Sequence, residues 1–262
     1  MKKLMENWKK FLNNEAKVLK PGEQGWGKYI ELVAKAYLSA PKFEDRAVGG
    51  YLVMIPDLVK FDKQIKSFVD VKEVPYHPYR SAKGMRKRVK KTGKFMVSTA
   101  DSEHPIFNND FKDKILSDDS VFDHYLNVMN SGLPGFNKKL SLEERRILKD
   151  KLIPLDFAQA NTYFRTVHDF HGHVQGGFGF SKQGEFSSYN RHAKHLKNIC
   201  VPVLFTEVVG QICCFYYSGK KNCSQKSIIL DGFDFFNLGE AKGYSVQDKN
   251  LVKVDDDGEN LV

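Results

Sequence analysis

The sequence predicts a mainly α-helical protein with a few short strands. Apolar side chains recur at helical spacing in several stretches, for example Leu58, Phe61, Ile65 and Phe68. Another stretch opens with Ser141, followed three residues later by Glu144, which is the pattern of a helix-capping box. Strand-like patterns are confined to two short segments, so helices are expected to form most of the fold.

The predicted elements begin with an amphipathic segment at residues 1–14, whose apolar side chains share one helical face: Leu4, Trp8, Phe11 and Leu12. We expect this helix either to join the core or to dock on a partner. Further helices are predicted at residues 28–39, 58–68, 120–132 and 141–153, and three more follow between residues 160 and 217. Short strands are predicted at residues 94–100 and 227–230.

The chain divides into three regions. Residues 1–74 form an N-terminal helical region, and residues 75–217 form a motif-bearing helical core with a helical insertion at 109–154. Residues 218–262 form a C-terminal extension that ends in an acidic tail, DDDGEN. The length of 262 residues suits one large domain or two small ones.

Composition indicates a globular protein, because 41% of the residues are hydrophobic and 28% are charged. The longest apolar stretch, residues 201–217, contains Glu207 and Gln211 and is shorter than the roughly 20 residues of a membrane span. We therefore expect a buried helix and no membrane span. The charged N-terminus lacks the pattern of a signal peptide, and the four cysteines lack a CxxC spacing. These features predict reduced core thiols and a cytoplasmic location.

The net charge of +9 is concentrated in one segment. Eight basic residues and no acidic one lie between Arg80 and Lys94. Such a run is typical either of a solvated helix or of a surface that binds nucleic-acid phosphates. In the second case the binding residues are Arg86, Lys87, Arg88, Lys90 and Lys91.

Histidines and acids cluster in the last three predicted helices. Five of the eight histidines lie between residues 168 and 195, beginning with the motif HDFHGH at 168–173. On α-helices, three pairs of polar residues each share a face, namely Asp169 with His173, Glu185 with His192, and Glu207 with Gln211. Burying such groups without partners costs several kcal/mol each, on the order of 2–7 kcal/mol for a polar group, so hydrogen bonds or a cation must satisfy them.

The donors predict a divalent transition metal, namely zinc, iron or manganese, because they are imidazole nitrogens and carboxylate oxygens without thiolates. The predicted ligands are His168, His173, Glu185 and His192. Catalytic roles are predicted for Asp169, for Glu207 as a general base or further ligand, and for Gln211 as an orienting donor. A metal-free acid–base site and a purely structural polar network are the alternatives.

Three further residues near this cluster are expected to have supporting roles or other partners. His171 and His195 lie off the predicted faces and are expected to be supporting or surface residues. Arg165 is expected to bind an anionic substrate or to pair with a neighbouring carboxylate.

The order of motifs resembles that of a family of uncharacterised proteins encoded mainly by tailed bacteriophages. The shared landmarks are PY at 78–79, HP at 104–105, FRTVHDFHGH at 164–173, GE at 184–185 followed by His192, and TEVVGQ at 206–211. The resemblance covers roughly residues 75–217. It implies a phage-encoded protein of the host cytoplasm or the virion, and it implies no particular activity.

Two other families share part of the pattern. The chain is similar to a ubiquinone-biosynthesis family that binds zinc through His-Asp, a nearby His and a downstream Glu, although the gap from His168 to His173 is one residue longer here. The His-Asp pair also resembles that of HD-type phosphohydrolases, for which His124 and either Asp231 or Asp234 would complete the set.

Together with the resemblance to the bacteriophage family, the sequence predicts a phage-encoded metal-dependent enzyme, a hydrolase or an oxidase, that acts on a nucleotide or nucleic acid. The alternative is a nucleic-acid-binding or virion-associated protein in which the buried polar helices are structural.

Overall fold

A computed structural model describes residues 24–100, 103–136, 139–218, 223–239, 244–247 and 250–253. Two predicted features, the amphipathic segment at residues 1–14 and the acidic tail at residues 255–260, lie outside the described residues.

The prediction of a mainly helical fold is confirmed. The α-helices are α1 (Gln24–Ser39), α2 (Asp45–Lys66), α3 (Ala82–Thr92), α4 (Asn109–Leu116), α5 (Asp119–Val128), α6 (Leu142–Leu152), α7 (Ala160–His168), α8 (Lys182–Ala193), α9 (Val201–Phe205) and α10 (Gln211–Ser218). Short 3₁₀ turns at Phe157–Gln159 and Asn198–Cys200 lead into α7 and α9. Two π-helical segments complete the set: Asp169–Gln175 continues α7, and Thr206–Gly210 joins α9 to α10.

The strands form two small pairs. Strand β1 (Asp70–Val74) runs parallel to β2 (Lys94–Ser98), with Asp70 opposite Lys94, and α3 is the crossover between them. Strands β3 (Tyr244–Gln247) and β4 (Asn250–Lys253) are antiparallel. The strand predicted at 94–100 is confirmed as β2. Strand β1 was missed because its sequence, DVKEV, is largely polar and exposed.

The strand predicted at residues 227–230 is wrong as a regular strand. Ser227 makes a single parallel bridge with Phe43, through bonds from the Ser227 amide to the Lys42 carbonyl and from the Glu44 amide to the Ser227 carbonyl. Nearby, the Lys226 amine is buried and donates to the carbonyls of Tyr37, at 2.6 Å, and of Ala40. A cation at the C-terminal end of α1 is favoured by the helix dipole.

Local capping fixes the start of α6, as the sequence predicted, and both ends of α3. Ser141 and Glu144 form a complete capping box at the start of α6. The Ser81 side chain accepts from the Gly84 amide at the start of α3, and Gly93 ends that helix with a φ of 67°, a conformation that favours glycine.

The core is continuous through the described residues. Helix α2 crosses its centre, with a run of fully buried side chains that includes Tyr51, Leu52 and Met54. One cluster of buried apolar side chains extends from Trp26 to Leu238. The N-terminal region, the motif-bearing core and the described part of the C-terminal extension therefore share one interior.

One helix in the described part of the chain, Asn198–Ser218, is long and apolar enough to cross a membrane. Within its most apolar window, 72% of the helix is buried inside the protein, as expected for a core helix.

The prediction of four reduced thiols is wrong for one pair. Cys214 and Cys223 form a disulfide, whereas Cys200 and Cys213 are free and buried. The sequence did not indicate this pairing because Cys214 lies within an apolar helix and Cys223 lies nine residues later, beyond the end of that helix at Ser218.

Candidate metal centre

Two histidines and a glutamate meet where α7, the first π-helical segment and α8 come together. His168 is the last residue of α7, His173 lies in the π-helical segment, and Glu185 lies in the first turn of α8. The His168 Nε2 atom is 3.1 Å from Glu185 Oε2, and the His173 Nε2 atom is 3.4 Å from Glu185 Oε1. One ligand atom from each residue lies within 4.8 Å of the other two.

The π-helical segment explains why His168 and His173 meet. Residues five apart on an α-helix point about 140° away from each other around the axis. A π-helix bonds residue i to residue i+5, which brings such residues back to the same side. The two imidazole centroids are 5.3 Å apart. The predicted sharing of a face by Asp169 and His173 assumed α-helical geometry, and the structure instead pairs His173 with His168.

Glycines allow the helices to approach closely enough to form the cluster. A Cβ atom on Gly172 would lie 2.6 Å from the Ser188 Cβ, so the π-helical segment contacts α8 at van der Waals limits. A Cβ atom on Gly184 would lie 1.9 Å from the Gly179 carbonyl oxygen. The glycines of the GH and GE motifs therefore permit the approach that places Glu185 against the two histidines.

Hydrogen bonds outside the cluster orient His173. Its Nδ1 atom is 3.2 Å from the Phe178 carbonyl oxygen, to which it donates, so Nε2 faces Glu185. Without a metal the protonated ring donates from Nε2 to Glu185, and loss of that proton would leave the Nε2 lone pair for a metal ion. The Arg86 Nη1 group donates to the carbonyl oxygens of His173 and Phe178, both at 3.1 Å. Arg86 thus holds the loop that carries this acceptor. His168 has no such support, since its buried Nδ1 atom has no protein partner.

The electrostatics favour an ionised carboxylate between two imidazoles. Burial raises the pKa of Glu185, but the hydrogen bonds from His168 and His173 outweigh it and lower the pKa to about 2. Burial lowers the pKa of His173, and the bond to Glu185 reverses this and raises it. The pKa of Asp169 is raised, mainly by burial and against the opposing charges of His173 and His168.

The donor set fits a single divalent metal. Two imidazole nitrogens and one carboxylate oxygen form the protein ligands of many catalytic zinc sites and of non-haem iron(II) sites, which keep positions open for water or substrate. The side chains of His168 and Glu185 are 10% and 14% exposed, so solvent reaches the cluster, whereas His173 is buried.

His192, the fourth predicted ligand, lies beside the cluster and is not part of it. Its ring centroid is 5.9 Å from that of His168, and both of its nitrogens are buried without a protein partner. Burial, followed by the nearby His168, His171 and His195, lowers its pKa well below the usual value. His192 is therefore a neutral imidazole in the wall of the site.

The predicted catalytic pair Glu207 and Gln211 belongs to a different polar group, which begins on the second π-helical segment. Glu207 is buried and accepts hydrogen bonds from the Tyr51 hydroxyl and from His104 Nε2 at 2.9 Å. Because His104 Nδ1 accepts from the Ile106 amide, its proton is on Nε2. The Gln211 Nε2 atom is buried without a hydrogen-bond partner, and the Gln211 side chain interacts with the Tyr37 hydroxyl.

Sequence reasoning assigned no role to Tyr51 or His104. The HP motif was a signal for His104, but nothing connected it to Glu207. Tyr51 gave no signal because it lies within an apolar run of α2.

The remaining predicted residues have structural partners. Arg165 donates to the backbone carbonyls of Ser98, at 3.0 Å, and Ala100, next to the end of β2. His171 Nδ1 donates to Gln175 Oε1, 2.5 Å away, and the His171 ring stacks on His195 with ring centroids 4.9 Å apart.

The additional residues of the phosphohydrolase comparison have other partners and lie outside the His168, His173 and Glu185 cluster. His124 is 3.0 Å from Asp45, and Asp231 pairs with Arg46. Asp234 accepts from the amides of two residues that follow it, Phe236 and Asn237.

The predicted nucleic-acid-binding residues divide between two faces of α3. Arg86 is half-buried and faces the cluster of His168, His173 and Glu185, as its bonds to the carbonyl oxygens of His173 and Phe178 show. The other four are exposed, namely Lys87, Arg88, Lys90 and Lys91.

Comparisons with protein-family models, with curated proteins and with solved structures give no match.

Proposed function

We propose that the protein is a metal-dependent enzyme with a mononuclear centre held by His168, His173 and Glu185. The observation that carries the proposal is the convergence of three ligand atoms within 4.8 Å of one another, at a site that solvent reaches. Oriented supports such as the Phe178 carbonyl on His173 are typical of metal-binding histidines, because they fix the ring and its tautomer.

The chemistry of the proposed enzyme follows from the residues around the centre. A bound zinc ion would supply an activated water for hydrolysis, and iron would supply oxidative chemistry. Asp169 is next to His168 in the chain, and burial raises its pKa above that of an exposed aspartate, which favours a role in accepting and returning a proton at the site. Glu185 remains an anion throughout the physiological range and balances the charge of a cation.

The π-helical segment also bears on the similarity to the zinc-binding ubiquinone-biosynthesis family. The extra residue between His168 and His173 would separate the two rings on an α-helix. A π-helical turn absorbs one added residue and returns both rings to one side. This supports a metal site of the same kind here despite the longer spacing.

The test is metal binding by protein stripped with a chelator and reloaded with zinc, iron(II) or manganese. We expect about one equivalent of the preferred ion, measured by elemental analysis and calorimetry. Glu185→Gln and His173→Gln are each expected to weaken binding by at least tenfold, whereas His124→Gln, which changes an exposed histidine, should bind normally. A stoichiometry far below one, or equal losses in all three variants, would contradict the proposal.

The identity of the preferred metal then selects the reaction class. Tight zinc binding would direct activity assays to hydrolysis, and tight iron(II) binding would direct them to oxygen-dependent reactions.

A further inference from the structure

We propose that the outer face of α3 binds single-stranded nucleic acid next to the metal centre. This basic face consists of Lys83, Lys87, Arg88, Lys90, Lys91 and Lys94. All six side chains are exposed, and they occupy the helix of 11 residues and the position just after Gly93. Helix α3 is about 16 Å long at 1.5 Å per residue, so the cations form a dense row.

The basic face lacks the ion pairs that several other surface cations of this protein make. Lys28 and Lys35 both bond Glu31, Arg146 bonds Glu143, and Lys149 bonds Asp119. Among the described residues, none of the six cations of the basic face has an acidic partner within ion-pair distance. Repulsion within such a row is relieved when phosphates neutralise it and the counterions of the nucleic acid are released.

The basic face is connected directly to the metal centre. Arg86 lies on the inner side of the same helix and donates to the carbonyl oxygens of His173 and Phe178. One side of α3 therefore forms part of the wall of the site, while the other presents cations. A nucleic-acid strand held on the basic face therefore lies about one helix diameter, roughly 10 Å, from the residues around His173. The assignment of nucleic acid as the substrate rests on the proposed function, but the binding itself does not.

The surroundings of α3 favour a nucleic-acid strand over a lipid surface. The apolar residues of α3, Ala82, Met85 and Val89, are buried, so the helix has no apolar edge to insert among acyl chains. Instead an exposed aromatic side chain lies near the end of the helix. Phe68 is 60% exposed, and two residues later the Asp70 amide donates to the Gly93 carbonyl at 2.8 Å. An exposed ring beside a row of cations is the arrangement on which unpaired bases stack.

The experiment measures binding of metal-free protein to a labelled single strand of random sequence, to the matching duplex, and to phosphatidylserine vesicles, over a series of salt concentrations. We expect binding to the single strand that weakens steeply with salt. The double variant Lys87→Gln/Lys91→Gln should reduce the slope of log affinity against log salt by about 1.4, since each phosphate contact contributes about 0.7. Lys114→Gln/Lys151→Gln removes the same charge from exposed positions on α4 and α6 and should leave the slope unchanged.

A further variant tests the aromatic contact. Phe68→Ala should weaken single-strand binding by roughly tenfold and leave duplex binding unchanged, because only unpaired bases offer a free face for stacking. Equal slopes for the two lysine double variants would overturn the basic face as the binding surface. Preference for the duplex without an effect of Phe68→Ala would overturn the single strand as the ligand, and binding to vesicles alone would overturn nucleic acid.

The same measurement with Glu185→Gln separates this proposal from the function proposed above. Retained binding by a variant that has lost its metal supports the basic face independently of the metal centre. Absence of nucleic-acid binding by the parent protein, with its metal binding intact, would overturn the basic face alone.

Discussion

Glu207 shows what a buried carboxylate requires in this protein. Its oxygen Oε1 accepts from the Tyr51 hydroxyl on α2 and from His104 in the segment between β2 and α4. The ring of His104 is itself fixed by stacking on Phe107, with centroids 3.9 Å apart. Three distant parts of the chain therefore meet at one carboxylate, and each depends on the others for its buried polar atoms.

Removing one of the hydrogen-bond donors to Glu207 should destabilise the folded protein. Tyr51→Phe is expected to lower the free energy of unfolding by about 1–3 kcal/mol, because it leaves a buried carboxylate oxygen short of a donor. Urea denaturation measures the change. Tyr125→Phe, which alters another largely buried tyrosine, is expected to stay within about 0.5 kcal/mol of the parent protein. An equal effect of both substitutions would show that the Tyr51 hydroxyl has no special role.

His171 makes the metal-free protein sensitive to acid. Burial lowers its pKa from 6.5 to about 4, opposed by the bond to Gln175 and aided by the nearby His195. Below pH 6.5 His171 therefore binds a proton in the unfolded chain but stays neutral in the folded protein. The free energy of unfolding falls as the pH drops from 6.5 towards 4. The loss is at most about 3 kcal/mol, at 1.36 kcal/mol per pKa unit.

The measurement is the free energy of unfolding against pH in the presence of a chelator. His173 acts in the opposite direction, because its raised pKa adds stability below pH 6.5 that is lost at higher pH. Comparison with His171→Gln isolates the contribution of His171, and the variant should lose less stability than the parent between pH 6.5 and pH 4. An identical pH dependence for both proteins would refute the assignment.

At the scale of elements, the residue types of the metal site could be predicted from the sequence, whereas the two π-helical segments that arrange them could not. His168, His173 and Glu185 could be found by residue type, because three such donors in a short span are conspicuous. Their geometry could not be found, since α-helical periodicity pairs His173 with Asp169. Both motifs, HDFHGH and TEVVGQ, lie where helices depart from α-helical geometry, which short-range propensity does not encode.

The close contact between the first π-helical segment and α8 should be sensitive to one methyl group. Gly172→Ala places a Cβ 2.6 Å from that of Ser188, and we expect a loss of about 1–3 kcal/mol in stability together with weaker metal binding, because α8 carries Glu185. Adding Ser188→Gly should restore both properties. Gly27→Ala is the matched control, since open space surrounds Gly27 on α1, and it should stabilise the protein by roughly 0.5–1 kcal/mol. Unaltered metal binding in Gly172→Ala would show that the helix spacing does not control the site.

At the scale of the whole molecule, the fold class was predictable because periodic apolar patterns and capping signals act locally, as Ser141 and Glu144 illustrate. Contacts between distant segments were not predictable. The pairing of β1 with β2 depends on the α3 crossover, and the pairing of Cys214 with Cys223 joins a helix to a segment outside it. The residues that supply Glu207 with donors were missed for the same reason.

The disulfide gives a prediction for the intact protein. Alkylation of unfolded, unreduced protein should label two cysteines, Cys200 and Cys213, and reduction should expose all four. Reduction is expected to lower the free energy of unfolding by about 2–3 kcal/mol, because it frees a short loop in the unfolded chain. A Cys214→Ser/Cys223→Ser variant should not respond to reductant, and labelling of four cysteines without reduction would refute the pairing.

Lys226 and Ser227 have a consequence for how the protein is made. Both are needed inside the fold, where one closes the end of α1 and the other joins residues 42–44. A ribosome synthesises the N-terminal helices long before this late segment emerges. Until then, α1 and residues 42–44 lack the partners that Lys226 and Ser227 provide. The core is complete only when Ile228, Ile229 and Leu230 leave the exit tunnel, and a chain that stops at Ser218 would leave part of its apolar core uncovered and prone to aggregation.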